Sequence, residues 1–192
     1  NVWSIVPITE IPGRKPIGSK WVLKIKRDGR YRARLVCLGY TQVPGIDFQD
    51  NFAPVVNNMT FQTVLTLTAL YDWDMTILDV ETAFLYRDLK EDIYMDLLAG
   101  FFSLDENILE VTNILKNKFK MKQANRKVCL KLNHALYGLV QAARSWWLKF
   151  VNALVNVGFE RGEVNLCLIF WKNEYGILIL ILYVDDCLLI GD

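Results

Sequence analysis

The longest apolar stretch of the chain lies close to its C-terminus, where residues 177–184 are all apolar. Two aspartates follow, Asp185 and Asp186, and four more apolar residues come directly after them at 187–190. Aliphatic and β-branched residues with a glycine at each end favour a strand buried on both faces over a helix. The pattern therefore predicts a β-hairpin with two carboxylates at its tip.

A third aspartate follows another apolar stretch. We predict a short strand over 75–80 that carries Asp79, and a short helix or turn over 82–89. If this strand neighbours the hairpin, Asp79 and Asp185 converge on one edge of a sheet. Carboxylates beside an apolar core repel each other and lose hydration, which a bound cation would relieve. The alternative is a solvated Asp-Asp turn between core strands, because Asp is a common turn residue.

Alternating residues over 20–38 predict a second β-hairpin. A loop of three residues that ends with Gly29 in a left-handed bulge pairs Lys24 with Arg32, whereas a two-residue loop would mix apolar and basic residues on each face. A shift in register by one residue would turn every side chain of a strand to the opposite face. We therefore predict the three-residue loop, which keeps apolar and basic residues on separate faces. An apolar base then carries Trp21, Leu23, Ile25, Tyr31, Ala33 and Leu35. The opposite, basic face carries Lys24, Lys26, Arg30, Arg32 and Arg34, and it is either an ordinary solvated surface or a phosphate-binding surface.

Two helices are predicted from apolar spacing. One, over about 60–72, is expected to be mostly buried and capped by Asn58 or Thr60. The other, over 141–157, ends at Gly158. Further strands are predicted near 93–97 and over 166–172, while 1–19 and 39–58 are expected to be irregular.

Composition limits the possible functions. With 192 residues, 53% of them hydrophobic, the chain can form one sizeable domain or two small subdomains. Its net charge is only +1, so any nucleic-acid-binding surface must be local. The most basic segment is 112–127, for which a solvated surface and nucleic-acid contact are both open. The four cysteines show no paired or zinc-binding spacing, and a single histidine, His134, cannot form a His-based metal site. No signal peptide is expected, and no apolar run approaches the about 20 residues that span a bilayer.

These motifs, taken in order, resemble the reverse transcriptase of copia-type long-terminal-repeat retrotransposons. One motif alone would be weak, whereas the ordered set spans most of the chain and is specific. The matching segments are 20–29, 34–36, 39–42, 45–48, 52–56, 79–85, 135–139 with 141–144, and the Tyr-Val-Asp-Asp motif at 183–186.

The resemblance implies an α+β fold, namely the fingers and palm of a right-hand polymerase, with an antiparallel palm sheet backed by helices and a basic fingers β-hairpin. Residues 1–192 would form a partial reverse transcriptase domain, mainly fingers over about 1–74 and mainly palm with interleaved fingers segments over about 75–192. The thumb is absent from the sequence. The family also has further palm after the strand that ends at Ile190, so we expect residues 1–192 on their own to expose apolar surface, to be poorly soluble and to be at most marginally active.

The resemblance also implies the activity and its partners. An RNA-directed DNA polymerase copies RNA into DNA by two-metal nucleotidyl transfer, using two Mg²⁺ ions with Mn²⁺ as a substitute. Its partners would be an RNA template, a DNA or RNA primer, dNTPs, a thumb and ribonuclease H downstream, and an integrase upstream in the same polyprotein. No membrane is expected, and the location would be a cytoplasmic virus-like particle, with nuclear import as a later step.

Residue roles follow from the resemblance position by position. Asp79, Asp185 and Asp186 would be catalytic and, with the Val80 carbonyl, would hold the metal ions, since hard cations prefer oxygen ligands. Nucleotide binding would involve Lys24, Arg32, Arg34, Phe84, Tyr137, Gly138 and Gln141. Template and primer contacts would involve Lys26, Arg144 and Tyr183. For Phe84 a core position in a short helix is the alternative, and the basic residue that holds the triphosphate stays open.

The chain departs from the family at four positions. Copia-type elements usually have Lys, Gly, Lys and Pro where this chain has Leu38, Arg87, Val140 and Ala143. Two of these changes remove a positive charge near the nucleic-acid path. Two other functions therefore stay open: a degenerate, non-catalytic element remnant that at most binds nucleic acid, and another palm-fold nucleotidyl enzyme such as a nucleotide cyclase.

Overall fold

The structure, a computed structural model, describes residues 2–11, 13–86, 88–98 and 128–192. Within these residues the fold is mixed α/β, with antiparallel sheets and two α-helices. The chain divides into two compact units, Asn1–Gln49 with Asp88–Ala142 and Asp50–Arg87 with Ala143–Asp192. Neither described helix is long and apolar enough to cross a bilayer. The predicted basic segment 112–127 lies outside the described residues.

The first unit contains a three-stranded sheet. Its strands are β1 (Trp3–Pro7), β5 (Asp88–Met95) and β6 (Val128–His134), in the order β1-β6-β5 with antiparallel pairing. The central strand β6 is mostly buried, with Leu130 and Leu132 in the core. The expectation that 1–19 is irregular was wrong, since β1 forms a regular ladder on β6. A partner more than 120 residues away along the chain stabilises this strand, which local sequence does not show.

The first unit also contains the basic hairpin, formed by β2 (Ser19–Ile25) and β3 (Tyr31–Cys37). Lys24 pairs with Arg32 and Ile25 with Tyr31, so the predicted register is confirmed. Gly29 has a φ of +81° and its N–H donates to the Lys26 carbonyl, as the bulged three-residue loop requires. No described residue covers much of the predicted apolar base, however. Tyr31, for example, is 88% exposed.

The second unit is built on a five-stranded antiparallel sheet in the order β4-β10-β9-β8-β7. Its strands are β4 (Asp74–Asp79), β7 (Glu160–Arg161), β8 (Leu168–Asn173), β9 (Gly176–Tyr183) and β10 (Asp186–Gly191). The predicted hairpin of β9 and β10 is thus present. It lies inside the sheet, with β4 on the outer side of β10.

Two helices cover opposite faces of this sheet, α1 (Asn58–Tyr71) and α2 (Ala142–Asn156). Trp147 and Val151 of α2 form a buried cluster with Leu180 and Leu182 of β9. Val64 of α1 forms another with three isoleucines of the hairpin, Ile179, Ile181 and Ile190. Because successive strand residues point to opposite faces, the apolar run of β9 supplies both clusters. The prediction of a strand buried on both faces is confirmed.

The helices differ from prediction in detail. The side chain of Asn57, and not that of Asn58 or Thr60, caps α1 by accepting the Thr60 N–H at 2.7 Å. The helix is also less buried than expected, with Val64 and Thr68 as its buried residues and Leu70 largely exposed. Its apolar residues surround the axis, and one stripe alone meets the sheet. Helix α2 ends as predicted, with Gly158 in the left-handed region at a φ of +100°.

Candidate active site

Three aspartates meet at one end of the five-stranded sheet. Asp79, the last residue of β4, lies directly opposite Asp186, the first residue of β10. The Val80 N–H donates to the Asp185 carbonyl at 3.3 Å, which continues the pairing by one residue. The backbone therefore brings the three predicted acids to one edge.

The tip of the acidic hairpin is a tight turn. Tyr183 pairs with Asp186, so Val184 and Asp185 form a two-residue loop. Val184 has a φ of +59°, an unfavourable value for a β-branched residue. The buried Trp146 indole donates its Nε1–H to the Val184 carbonyl at 2.8 Å. Trp146, a buried residue of helix α2, thereby holds a strained turn next to Asp185.

The three carboxylates act on a neighbouring thiol. Burial, reinforced by the negative charges of Asp186, Asp185 and Asp79, raises the pKa of Cys187 to about 11. The thiol therefore stays protonated at neutral pH. The other three cysteines are likewise buried and free.

The chemistry of the donor set fits a hard divalent cation. The edge offers carboxylate oxygens and the Val80 carbonyl, which are the ligands that Mg²⁺ prefers. In the described part of the chain, no group of three or more His, Cys, Asp or Glu side chains is arranged to hold a metal ion. The backbone thus brings suitable donors to one edge, while their side chains do not form a closed ligand set.

An apolar groove of about 580 Å³ adjoins the acidic edge. It lies on the sheet face that carries Tyr183 and Asp186, between that face and the beginning of helix α1. The lining residues are Val56, Asn58, Phe61, Ile77, Ile181, Tyr183, Asp186, Cys187 and Leu188.

The other predicted residues of the second unit lie in different environments. Phe84 is 8% exposed on a short 3-10 helix, Ala83–Tyr86, that follows Asp79. Tyr183 is exposed at the end of β9. Arg144 donates to the Phe52 carbonyl at 2.9 Å and forms an ion pair with Asp50 at 3.2 Å. Its guanidinium therefore fastens the segment before α1, and a role at the template stays a prediction.

Two cations face each other across the basic hairpin of the first unit. Lys24 and Arg32 are directly opposite each other and exposed, and neither forms an ion pair within the described residues. Like charges facing each other across a ladder are unfavourable, and an anion bound between them would remove that cost. Arg30 differs, since its ion pair with Asp28 at 2.7 Å lowers the pKa of that carboxyl group. Lys26 is half-buried at the end of the loop.

Arg34 and Tyr137 form a second feature of this unit. The Arg34 guanidinium lies 4.9 Å from the centroid of the Tyr137 ring, a cation–π contact. Gly138 has a φ of +91°, and a Cβ there would lie 2.2 Å from the Cys37 carbonyl oxygen. Gln141 is 2% exposed and is hydrogen-bonded inside the unit. The structure thus brings Arg34, Tyr137 and Gly138 together and buries the amide of Gln141.

Comparison with known proteins places these features in a family. The family described as reverse transcriptase (RNA-dependent DNA polymerase) matches residues 1–128 and 119–192. The retrovirus-related Pol polyprotein from transposon TNT 1-94 of Nicotiana tabacum is 39% identical over 96% of this chain and 13% of its own length. Those from transposons RE1 and RE2 of Arabidopsis thaliana are 33% and 32% identical over the whole chain and 12% of their lengths. The chain thus spans about an eighth of these curated relatives. No solved structure matches it.

Proposed function

Since the chain belongs to the reverse transcriptase family of copia-like retrotransposons, we propose that it supplies the polymerase site of an RNA-directed DNA polymerase. Residues 1–192 would form its fingers and palm, and its substrates would be dNTPs, an RNA template and a DNA or RNA primer. The observation that carries the proposal is the direct pairing of Asp79 with Asp186 beside the Asp185 turn.

Asp79, Asp185, Asp186 and the Val80 carbonyl would hold two Mg²⁺ ions, with Mn²⁺ as a substitute. Bound there, such ions would activate the primer 3′-hydroxyl and neutralise charge on the phosphate groups. The pairing of β4 with β10 keeps the donors on one edge, and Trp146 restrains the turn that carries Asp185. These residues would contribute by positioning the oxygen ligands. The nucleophile would be the primer 3′-hydroxyl, so no protein nucleophile is required.

The proposed reaction is nucleotidyl transfer. The oxygen of the primer 3′-hydroxyl attacks the α-phosphorus of the dNTP, and pyrophosphate leaves as the new phosphodiester bond forms. The cations Lys24 and Arg32 are suited to the triphosphate because the hairpin sets them side by side. Arg34, Tyr137 and Gly138 would contact the nucleotide, and Phe84 would lie against its sugar. Lys26, Arg144 and Tyr183 are proposed to contact template or primer.

The rest of the protein is also a proposal. The relatives are Pol polyproteins from transposons, of which this chain matches a small part. This supports further domains in one polyprotein, which we propose to be a thumb and ribonuclease H downstream and an integrase upstream. We further propose that the protein acts in cytoplasmic virus-like particles, with nuclear import as a later step.

Primer extension on poly(rA)/oligo(dT) with Mg²⁺, using the full-length protein that contains this chain, tests the proposal. Asp185→Asn keeps the shape of the side chain but removes its charge, so we expect extension to fall by at least about 100-fold. Asp74→Asn is the matched control, because Asp74 lies at the other end of β4 opposite Gly191.

Full activity of Asp185→Asn would refute the assigned role. A wild-type protein that binds primer–template but does not extend it would instead favour the non-catalytic remnant.

A further inference from the structure

Two buried glutamines form a hydrogen-bond chain in the first unit, to which the proposed mechanism assigns no task. Gln42 is 7% exposed and Gln141 is 2% exposed. The Val140 N–H donates to Gln42 Oε1 at 2.8 Å, and Gln42 Nε2 donates to Gln141 Oε1 at 3.1 Å. Gln141 Nε2 in turn donates to the Asp47 carbonyl at 3.0 Å.

The backbone groups at the two ends of this series of hydrogen bonds determine which amide atom donates and which accepts in each bond. A backbone N–H can only donate and a carbonyl can only accept. Gln42 must therefore present its oxygen to Val140 and its NH₂ group to Gln141. Reversing either amide would set two donors or two acceptors face to face. A glutamate at position 42 would lack the donor, and a leucine would lack both groups and leave buried polar atoms unsatisfied.

These hydrogen bonds lie beside a close approach of two stretches of backbone. A Cβ on Gly39 would lie 2.0 Å from the Gly138 carbonyl oxygen, so the two main chains touch. The Cys37 N–H, at the end of β3, donates to the Tyr137 carbonyl at 2.8 Å. The side chain of Gln42 joins the same two stretches of backbone a little further along, where it accepts the Val140 N–H. The end of β3 and the turn at 137–140 are thereby held in one register.

This register sets the Tyr137 ring of the turn beside Arg34 of β3, with which it forms the cation–π contact. We propose that Gln42 is a positioning residue for nucleotide binding: it holds the turn against β3 so that Arg34 and Tyr137 present one surface to the nucleotide. The inference rests on the proposed function, in which both residues contact the incoming dNTP.

The test compares Gln42→Glu and Gln42→Leu with wild type in steady-state primer extension by the full-length protein. For both variants we expect the KM for dTTP to rise about tenfold, equivalent to about 1.4 kcal/mol, while kcat changes less than about twofold, because the bond acts on binding and not on the acidic edge. Gln49→Glu is the matched control. Gln49 is an exposed glutamine of the same loop whose amide donates to the Gly45 carbonyl.

A double-mutant cycle separates positioning from general destabilisation. If Gln42 acts through Tyr137, Gln42→Leu added to Tyr137→Ala should raise KM little beyond the value for Tyr137→Ala alone. Additive effects, or a KM that stays at the wild-type value in the folded single variants, would overturn the proposal.

Two further measurements keep the result interpretable. If Gln42→Leu and Gln42→Glu do not fold, Gln42→Asn, which keeps both groups on a shorter side chain, takes their place in the same cycle. Faster hydrogen exchange at the Val140 amide is expected for folded Gln42→Leu, because leucine removes the oxygen that accepts this N–H, and unchanged exchange in that variant would count against the bond. A wild-type protein without extension activity would contradict the proposed function itself, whereas active wild type with unaffected variants contradicts the role of Gln42 alone.

Discussion

Asp79 and Asp186 face each other across an antiparallel ladder, where like charges are unfavourable. Neither residue gains a compensating contact from this position in the described structure, since no ion pair there includes either of them. The arrangement is therefore unfavourable for stability, which leads to a prediction about the protein without metal.

Asp79→Asn should leave the protein in chelator as stable as wild type or slightly more stable, because one of the facing charges is gone. Millimolar Mg²⁺ should raise the melting temperature of wild type and raise that of the variant less. Thermal melts in chelator and in Mg²⁺ measure both quantities. Asp74→Asn serves as the control on the same strand. A variant destabilised equally in both conditions would identify Asp79 as a structural residue.

Lys24 and Arg32 also lie directly opposite each other across a ladder, and both carry a positive charge. Lys24→Glu should convert a repulsive cross-strand pair into an attractive one and stabilise the fold by about 0.5 kcal/mol. The same change should raise the KM for dNTPs, because it removes a proposed triphosphate contact. Denaturant titration and primer extension give the two values.

Lys20→Glu, on the same strand opposite Val36, is the control and should change stability little. If Lys24→Glu leaves KM unchanged, the hairpin face is an ordinary solvated surface.

Among the structural elements, the acidic hairpin combines two buried strands with a strained turn. Its strands were predictable because an apolar run with glycines at both ends is a local pattern. The basic hairpin was predictable to its register for the same reason, since the loop and the alternation together exclude the other pairing. Strands β1 and β6 were not predicted, because their pairing joins Trp3 to Leu132 and no local pattern encodes it.

The hydrogen bond from Trp146 to the Val184 carbonyl should make a measurable contribution to the stability of the acidic hairpin. Trp146→Phe keeps an aromatic ring but removes the donor, so we expect a loss of about 1 kcal/mol in the free energy of unfolding. The turn carrying Asp185 should also exchange its amide protons faster. Trp73→Phe is a suitable control, since Trp73 is partly buried and stacked on Tyr71 beyond the end of α1. Equal losses in both variants would mean that packing alone explains the effect.

At the scale of the whole molecule, sequence motifs located the three aspartates and the mixed α/β architecture, but not how each side chain is used. Gln141 and Arg144 share one motif, yet the structure buries the first among amides and pairs the second with Asp50. Such contacts depend on loops that are distant in sequence. The burial of α1 was overestimated for a related reason, because its apolar residues do not indicate which face a sheet will cover.

The interleaved order of the two units has a consequence for biosynthesis. Each unit is assembled from two separate stretches of chain, and the central strand of the first sheet, β6, begins only at Val128. A ribosome adds about 5–20 residues per second, so β1 and β5 must wait for the strand that joins them. The hairpin of β9 and β10, which completes the second unit, follows later still. Apolar strand edges therefore stay open on the nascent polypeptide until this hairpin has been synthesised, and a chaperone that shields them would raise the yield of folded protein.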